Sequence, residues 1–210
     1  MPKPRRPQIS LRKTPQQARS TELVAAILEA AVQVLLREGA QRFTTARVAE
    51  RAGVSVGSVY QYFPNKAAIL FRLQADEWQQ TTGMVRQLLQ DQRKPPARRL
   101  RELVHAFIRS EFEEAQVRLA LADAAPLYRD AVESEALIQE WDAIIATFMR
   151  EALPGVPAPR RKRAGELVMT TLSSVGEHLS RSAQQPKAVR AYGEAMADMF
   201  CAYLESLQVR

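Results

Sequence analysis

The sequence holds a single cysteine, Cys201, in 210 residues, so an intramolecular disulfide framework is excluded. Only two histidines, His105 and His178, accompany that thiol, too few soft ligands for a zinc or copper centre, and no metal is expected. No uninterrupted apolar run reaches the roughly 18 residues that a membrane-spanning helix needs. The basic start, Met1-Pro-Lys-Pro-Arg-Arg, has no apolar stretch behind it and does not read as a secretory signal. The expected compartment is the cytoplasm. No Ser/His/Asp grouping, metal-ligand spacing or glycine-rich phosphate loop can be assembled, which argues against an enzyme and against a cofactor. Alternating apolar–polar runs of strand character are missing too, so an all-α fold is expected.

What is present is an uneven distribution of charge. Residues 1–66 hold 11 Lys and Arg against 4 Asp and Glu, while the remaining 144 residues hold 19 of each. The formal charge of +7 therefore lies wholly in the first third of the chain. A basic end on a neutral body suits a polyanion partner; a basic tail without consequence would account only for Lys3 to Arg19.

Punctuation by proline and glycine divides the chain into about nine helices. Residues 1–19, with four prolines and six basic side chains, read as a flexible basic tail. A helix from Ser20 closes at Gly39, a second runs from Thr44 to Ala52 before Gly53, and a third from Val56 to Tyr62. Pro64-Asn65 then leads into a long helix from Lys66, for which Asn65 is the cap. Residues 67–210 carry the remaining helices, broken at Pro95-Pro96, Pro126, the Pro154–Pro159 stretch and Pro186.

Within the basic third, Thr45 to Tyr62 has helix-turn-helix spacing. Val48, Ala52, Val54, Val59 and Tyr62 fall on the contacting faces, and Ala49 is small where the two helices cross. Gly53 stands where the tight turn needs positive φ, at a cost of about 1 kcal/mol or more for any residue with a Cβ. Phe43 and Val48 are placed as a hydrophobic staple around a Thr44 cap. The motif spans 44–63 and the head 20–66.

The stretch Phe43-Thr-Thr-Ala-Arg-Val-Ala-Glu-Arg-Ala-Gly-Val-Ser-Val-Gly-Ser-Val-Tyr-Gln-Tyr-Phe-Pro-Asn-Lys66 resembles the DNA-binding signature of the TetR family, the tetracycline-repressor-like transcriptional regulators. Its Tyr60-x-Tyr-Phe-x-Asn-Lys66 ending is the most diagnostic part. The resemblance implies a three-helix DNA-binding head followed by a helical bundle for ligand binding and dimerisation. It further implies a homodimeric repressor on palindromic double-stranded operator DNA, released by a small-molecule effector. Thr45 and Arg47 would face phosphate, and Ser55, Val56, Gly57, Ser58 and Gln61 would face the major groove. Tyr60 and Tyr62 would touch backbone or base edge, and Lys66 a phosphate. Physical chemistry supports these roles: helix N-termini favour phosphate, Gly57 permits close approach, and Gln61 suits adenine. Tyr62, by its position, is the tyrosine expected to be partly buried.

In the neutral body, Trp78, Phe107, Phe112, Tyr128, Trp141 and Phe148, with Met84, are candidates to line an effector cavity. Core packing is the competing account for each. Glu111 falls on the apolar stripe of Leu100, Val104, Phe107 and Ile108, where a carboxylate must be paired, protonated or used. A glutamate reaching solvent or an arginine is its alternative, and His105 and His178 read as structural. Thr171, Ser174, Val175 and Gly176, then Ala191, Ala195, Met199, Ala202 and Leu207, give small and apolar faces suited to a two-fold dimer. An activator or architectural protein carrying the same motif, an all-α enzyme and a small-molecule carrier are the competing functions.

Overall fold

A computed structural model describes residues 8–10, 12, 18–128, 135–182 and 185–208, leaving aside the side chains of 135–138. Every regular element among the described residues is helical. In chain order they are α1 (Ala18–Arg42), α2 (Thr45–Ala52), α3 (Val56–Tyr62), α4 (Lys66–Leu89), α5 (Pro96–Glu113), α6 (Ala115–Ala124), a 3₁₀ turn (Ala125–Leu127), α7 (Glu135–Ala152), α8 (Ala158–Arg181) and α9 (Pro186–Gln208). The proline and glycine breaks fall where the elements end. Gly39, at φ 73° and ψ 169°, interrupts the helical path of α1, and α5, α8 and α9 each open on a proline-bearing first turn.

Contacts divide the chain into two compact units: residues 1–77 with 116–134, and residues 78–115 with 135–210. The division differs from the 66/67 boundary expected from the sequence, because α4 runs unbroken through that point and contributes to both units. It differs also because α6 and the 3₁₀ turn join the first unit. Leu121, Ala124 and Tyr128 are buried in the same core as Ile27, Leu35, Phe43, Val59 and Phe63.

The second unit has its own core, built from the inner faces of α5, α7, α8 and α9 around Leu100, Leu103, Phe148, Val168 and Leu172. Arg99 is buried there, donating to the Leu89 carbonyl and, at 2.8 Å, to Glu151, with its guanidinium 5.6 Å from the centre of the Phe148 ring. A buried charge is tolerable because it is paired and hydrogen-bonded. Among the described residues no helix is long and apolar enough to cross a membrane, and no group of three His, Cys, Asp or Glu could hold a metal ion.

Candidate nucleic-acid interface

The second and third helices are held by caps and by one turn. Thr44 is extended, and its hydroxyl accepts from the Arg47 N–H at 3.3 Å, starting α2. Gly53 ends α2 in the left-handed region, φ 68° and ψ 29°, with its N–H returned to the last turn. Ser55 starts α3 by accepting from the Ser58 N–H at 3.0 Å, and the two hydroxyls lie 2.8 Å apart. Val48, Ala49 and Val59 are fully packed between the helices. The pattern predicted from the motif thus sets the geometry of the turn.

The outer surface of α3 leaves several side chains uncovered. Val56 and Tyr60 are 40% and 39% exposed, and Ser55, Gly57 and Gln61 share that accessibility. Two large apolar or aromatic side chains thus stand partly exposed on one seven-residue helix. Tyr62 is turned inward at 4% exposure, so among the two tyrosines only Tyr60 presents its ring outward. The Tyr60 hydroxyl stands 3.1 Å from the Thr45 Oγ1, tying the first turn of α2 to the last turn of α3. Ser58 and Lys66 are half-buried, Lys66 at the start of α4, where the Asn65 Oδ1 accepts from the Ala68 N–H at 2.9 Å.

The half-exposed Arg47 guanidinium pairs with Glu38 and donates to the Arg42 carbonyl at 2.9 Å, so it fastens the end of α1 to α2. The stretch ahead of α1 departs from expectation. Residues 8–10 and 12, expected to be unstructured, lie on the head: Ile9 is buried, Asn65 Nδ2 donates to the Gln8 carbonyl at 2.9 Å, and the Arg12 N–H donates to the Tyr62 carbonyl at 2.9 Å. The available signal was a lone isoleucine between basic and proline-rich segments.

Two family models match the sequence. Residues 27–73 match the bacterial regulatory proteins of the tetR family, and residues 95–207 match the tetracyclin repressor-like C-terminal domain, which alone covers more than half of the chain. The chain belongs to the tetR family. It is a DNA-binding transcriptional repressor of helix-turn-helix type with a ligand-binding C-terminal domain, in a family of regulators rather than enzymes. The fold is similar to the fatty acid degradation regulator FadR from Bacillus halodurans (18% identity, 90% of this chain and 96% of that one, TM-score 0.68). It is similar also to native NalD of Pseudomonas aeruginosa, the secondary repressor of the MexAB-OprM multidrug efflux pump (20% identity, 86% and 96% covered, TM-score 0.65). A third likeness is to the TetR-family regulator PfmR from Thermus thermophilus (17% identity, 82% and 97% covered, TM-score 0.63). No curated protein matches the sequence.

The side chains expected to line one effector cavity are dispersed. Tyr128 is in the core of the first unit, where its hydroxyl donates to the Leu121 carbonyl at 3.0 Å and lies 3.2 Å from Gln74. Phe107 and Phe148 are core residues of the second unit, and Trp78 is exposed. Phe112 lines a cleft of about 600 Å³ between α5 and α9, with His105, Arg109, Val189 and Arg190. Trp141 lines a groove of about 770 Å³ between α7 and α8, with Ile145, Met149, Arg161 and Met169. Glu111 is interior, yet it lines neither of these: its carboxylate lies 3.1 Å from the Ser180 hydroxyl and its stem packs on Gly176. Gly176 and Leu207, expected on the dimer face, are buried in the second unit. Ser174, Ala191, Ala195, Met199 and Ala202 are exposed, while Thr171 and Val175 are half-buried.

Proposed function

We propose that the protein is a homodimer that binds a palindromic operator through α3 and leaves it when an amphipathic small molecule occupies the second unit. Ser55, Val56, Gly57, Ser58, Tyr60 and Gln61 form the groove-facing surface, with Thr45 and Lys66 at phosphates. The observation that carries this is the uncovered outer face of α3, with Val56 and Tyr60 in water beside Gln61, in the part of the chain that holds all of the net positive charge. Arg47 joins Thr45 and Lys66 at phosphates, beside its pairing with Glu38 on α1. Tyr62 supports the ring positions from inside.

Dimerisation is supported by the outer sides of α8 and α9, where Leu167 is 51% and Met199 50% exposed among alanines at 191, 195 and 202. A monomer would leave this face in water, and one recognition helix alone gives little specificity. The clefts beside α5 and α7 have apolar walls and charged rims, which suits an amphipathic ligand. A preference for cations, considered because of Glu111, has no support from its placement against Ser180. Because α4 belongs to both units, it is the element through which a ligand would alter the spacing of the two heads. The shift in DNA affinity equals the ligand's differential affinity for the two arrangements, typically about 1–3 kcal/mol.

The test is a titration of the protein into labelled duplexes from the region upstream of its own gene, with excess unrelated DNA as competitor. Saturable binding with two protomers per duplex is expected. Binding that competitor DNA removes completely, on every duplex, would overturn the reading.

A further inference from the structure

The head carries a feature that the helix-turn-helix reading does not use. Residues 8–10 and 12 lie at the C-terminal end of α3 and are fastened there by side chain, backbone and burial together. Ile9 is 8% exposed within the core of the head, Asn65 holds the Gln8 carbonyl at 2.9 Å, and the Arg12 N–H donates to the Tyr62 carbonyl at 2.9 Å. The Arg12 guanidinium, itself exposed, reaches the Tyr60 carbonyl at 3.4 Å. A helix end presents carbonyl oxygens without partners, and a cation there is favoured by the helix dipole. Arg12 satisfies both conditions with one of five donors, leaving an exposed charged group at the C-terminal end of α3.

The same strap is anchored by Asn65, whose neighbour Lys66 opens α4. Asn65 therefore has two tasks: its Oδ1 caps α4 and its Nδ2 holds Gln8. A tail bound only by its charge would need neither a buried isoleucine nor a hydrogen bond from Asn65.

We infer that residues 8–10 and 12 form a docked strap that sets Arg12 against DNA phosphates flanking the bases faced by α3, so that Arg12 is a built part of the DNA interface. The strap rests on the reading of α3 as the DNA-facing helix. Its partner is double-stranded DNA, and its contribution is backbone attraction without sequence choice, because phosphates carry no base identity.

The experiment measures operator affinity across salt concentrations for the full chain and three substitutions, with urea unfolding of each as a check on folding. The logarithm of affinity falls with the logarithm of salt, with a slope of about one for each phosphate that a cationic side chain neutralises. Arg12→Ala is expected to flatten that slope by about one per protomer, and Arg12→Lys, which keeps the charge, to restore most of it. A role confined to capping α3 would not be read in the salt slope. Ile9→Ser leaves every charge in place but releases the strap, and it is expected to flatten the slope as much as Arg12→Ala does. An unchanged slope in Arg12→Ala overturns the inference. An unchanged slope in a folded Ile9→Ser also overturns it, by showing that charge alone suffices. Failure of the unmodified protein to prefer any operator would instead reject the DNA-facing reading of α3, a result distinct from both.

Discussion

Gly176 lies directly against Glu111: a Cβ at 176 would fall 2.7 Å from the Glu111 Cγ and 3.1 Å from the Phe107 Cε1. The two helices approach this closely because the residue on α8 has no side chain. The Ser180 hydroxyl one turn on lies 2.7 Å from the Glu111 carbonyl, so the approach is fixed from two sides. Adding a methyl group at such a crossing forces a shift costing roughly 1–3 kcal/mol, against a gain of about 0.5–1 kcal/mol from replacing a helical glycine. Gly176→Ala should therefore lower stability in urea unfolding. Gly83→Ala, on α4 where nothing lies within 4 Å, should raise it by the propensity gain alone. A stabilised Gly176→Ala would show that α5 and α8 stand further apart.

Tyr128 gives a prediction in pH. Burial pushes its phenol up to about 12 from the usual value near 10. The folded state favours the neutral phenol, so this contribution is complete below pH 10 and is lost as pH rises towards 12. In a spectroscopic titration of tyrosinate, one of the five tyrosines should ionise late, and Tyr128→Phe should remove that late component. The substitution also removes the hydrogen bond to the Leu121 carbonyl, at a cost of about 0.5–1.5 kcal/mol at neutral pH. A late component that persists in Tyr128→Phe would assign it to another ring.

The head is legible in the sequence because its determinants are local. The Thr44 and Ser55 caps, Gly53 at positive φ and Val48 against Val59 all act within a few residues, and each constrains its neighbour. The strap is not legible, since Gln8 and Asn65 are 57 positions apart and neither residue type announces the other. Periodicity puts Glu111 and Phe107 on one apolar stripe and Phe148 on another, and all three are buried. It does not say which neighbour those faces meet, and so it groups Tyr128 with aromatics of the other unit. Gly176 illustrates the same limit: a small residue permits close approach, but only the fold shows that the approaching helix is α5 of the same chain.

The dimer face can be tested without disturbing either core. Leu167 and Met199 are half exposed, and surface substitutions away from special features usually change stability by less than about 0.5 kcal/mol. Leu167→Glu combined with Met199→Glu places like charges across a two-fold axis. Light scattering should then move from twice the 23.6 kDa protomer mass towards the protomer mass itself, with helical content unchanged. Operator affinity should fall along with it. A variant that remains dimeric would place the interface elsewhere.

Reading and anchoring should separate at Gln61 and Lys66. Gln61 is exposed on α3, where its amide would meet a base edge, while Lys66 sits half-buried at the first turn of α4, where its charge would meet a phosphate. A bidentate amide contact to adenine discriminates by about 1–3 kcal/mol, and a phosphate contact discriminates not at all. Gln61→Ala should thus cost that amount on the operator and relax choice at one base pair in each half-site, with the salt slope nearly unchanged. Lys66→Ala should weaken operator and scrambled DNA alike and flatten the slope by about one per protomer. Isotherms on both DNAs at several salt concentrations measure all of these quantities together. If Lys66→Ala alters base preference while Gln61→Ala alters only the slope, the docking of α3 in the groove is reversed or shifted along its axis. If neither substitution has an effect, the outer face of α3 is not what reads the DNA.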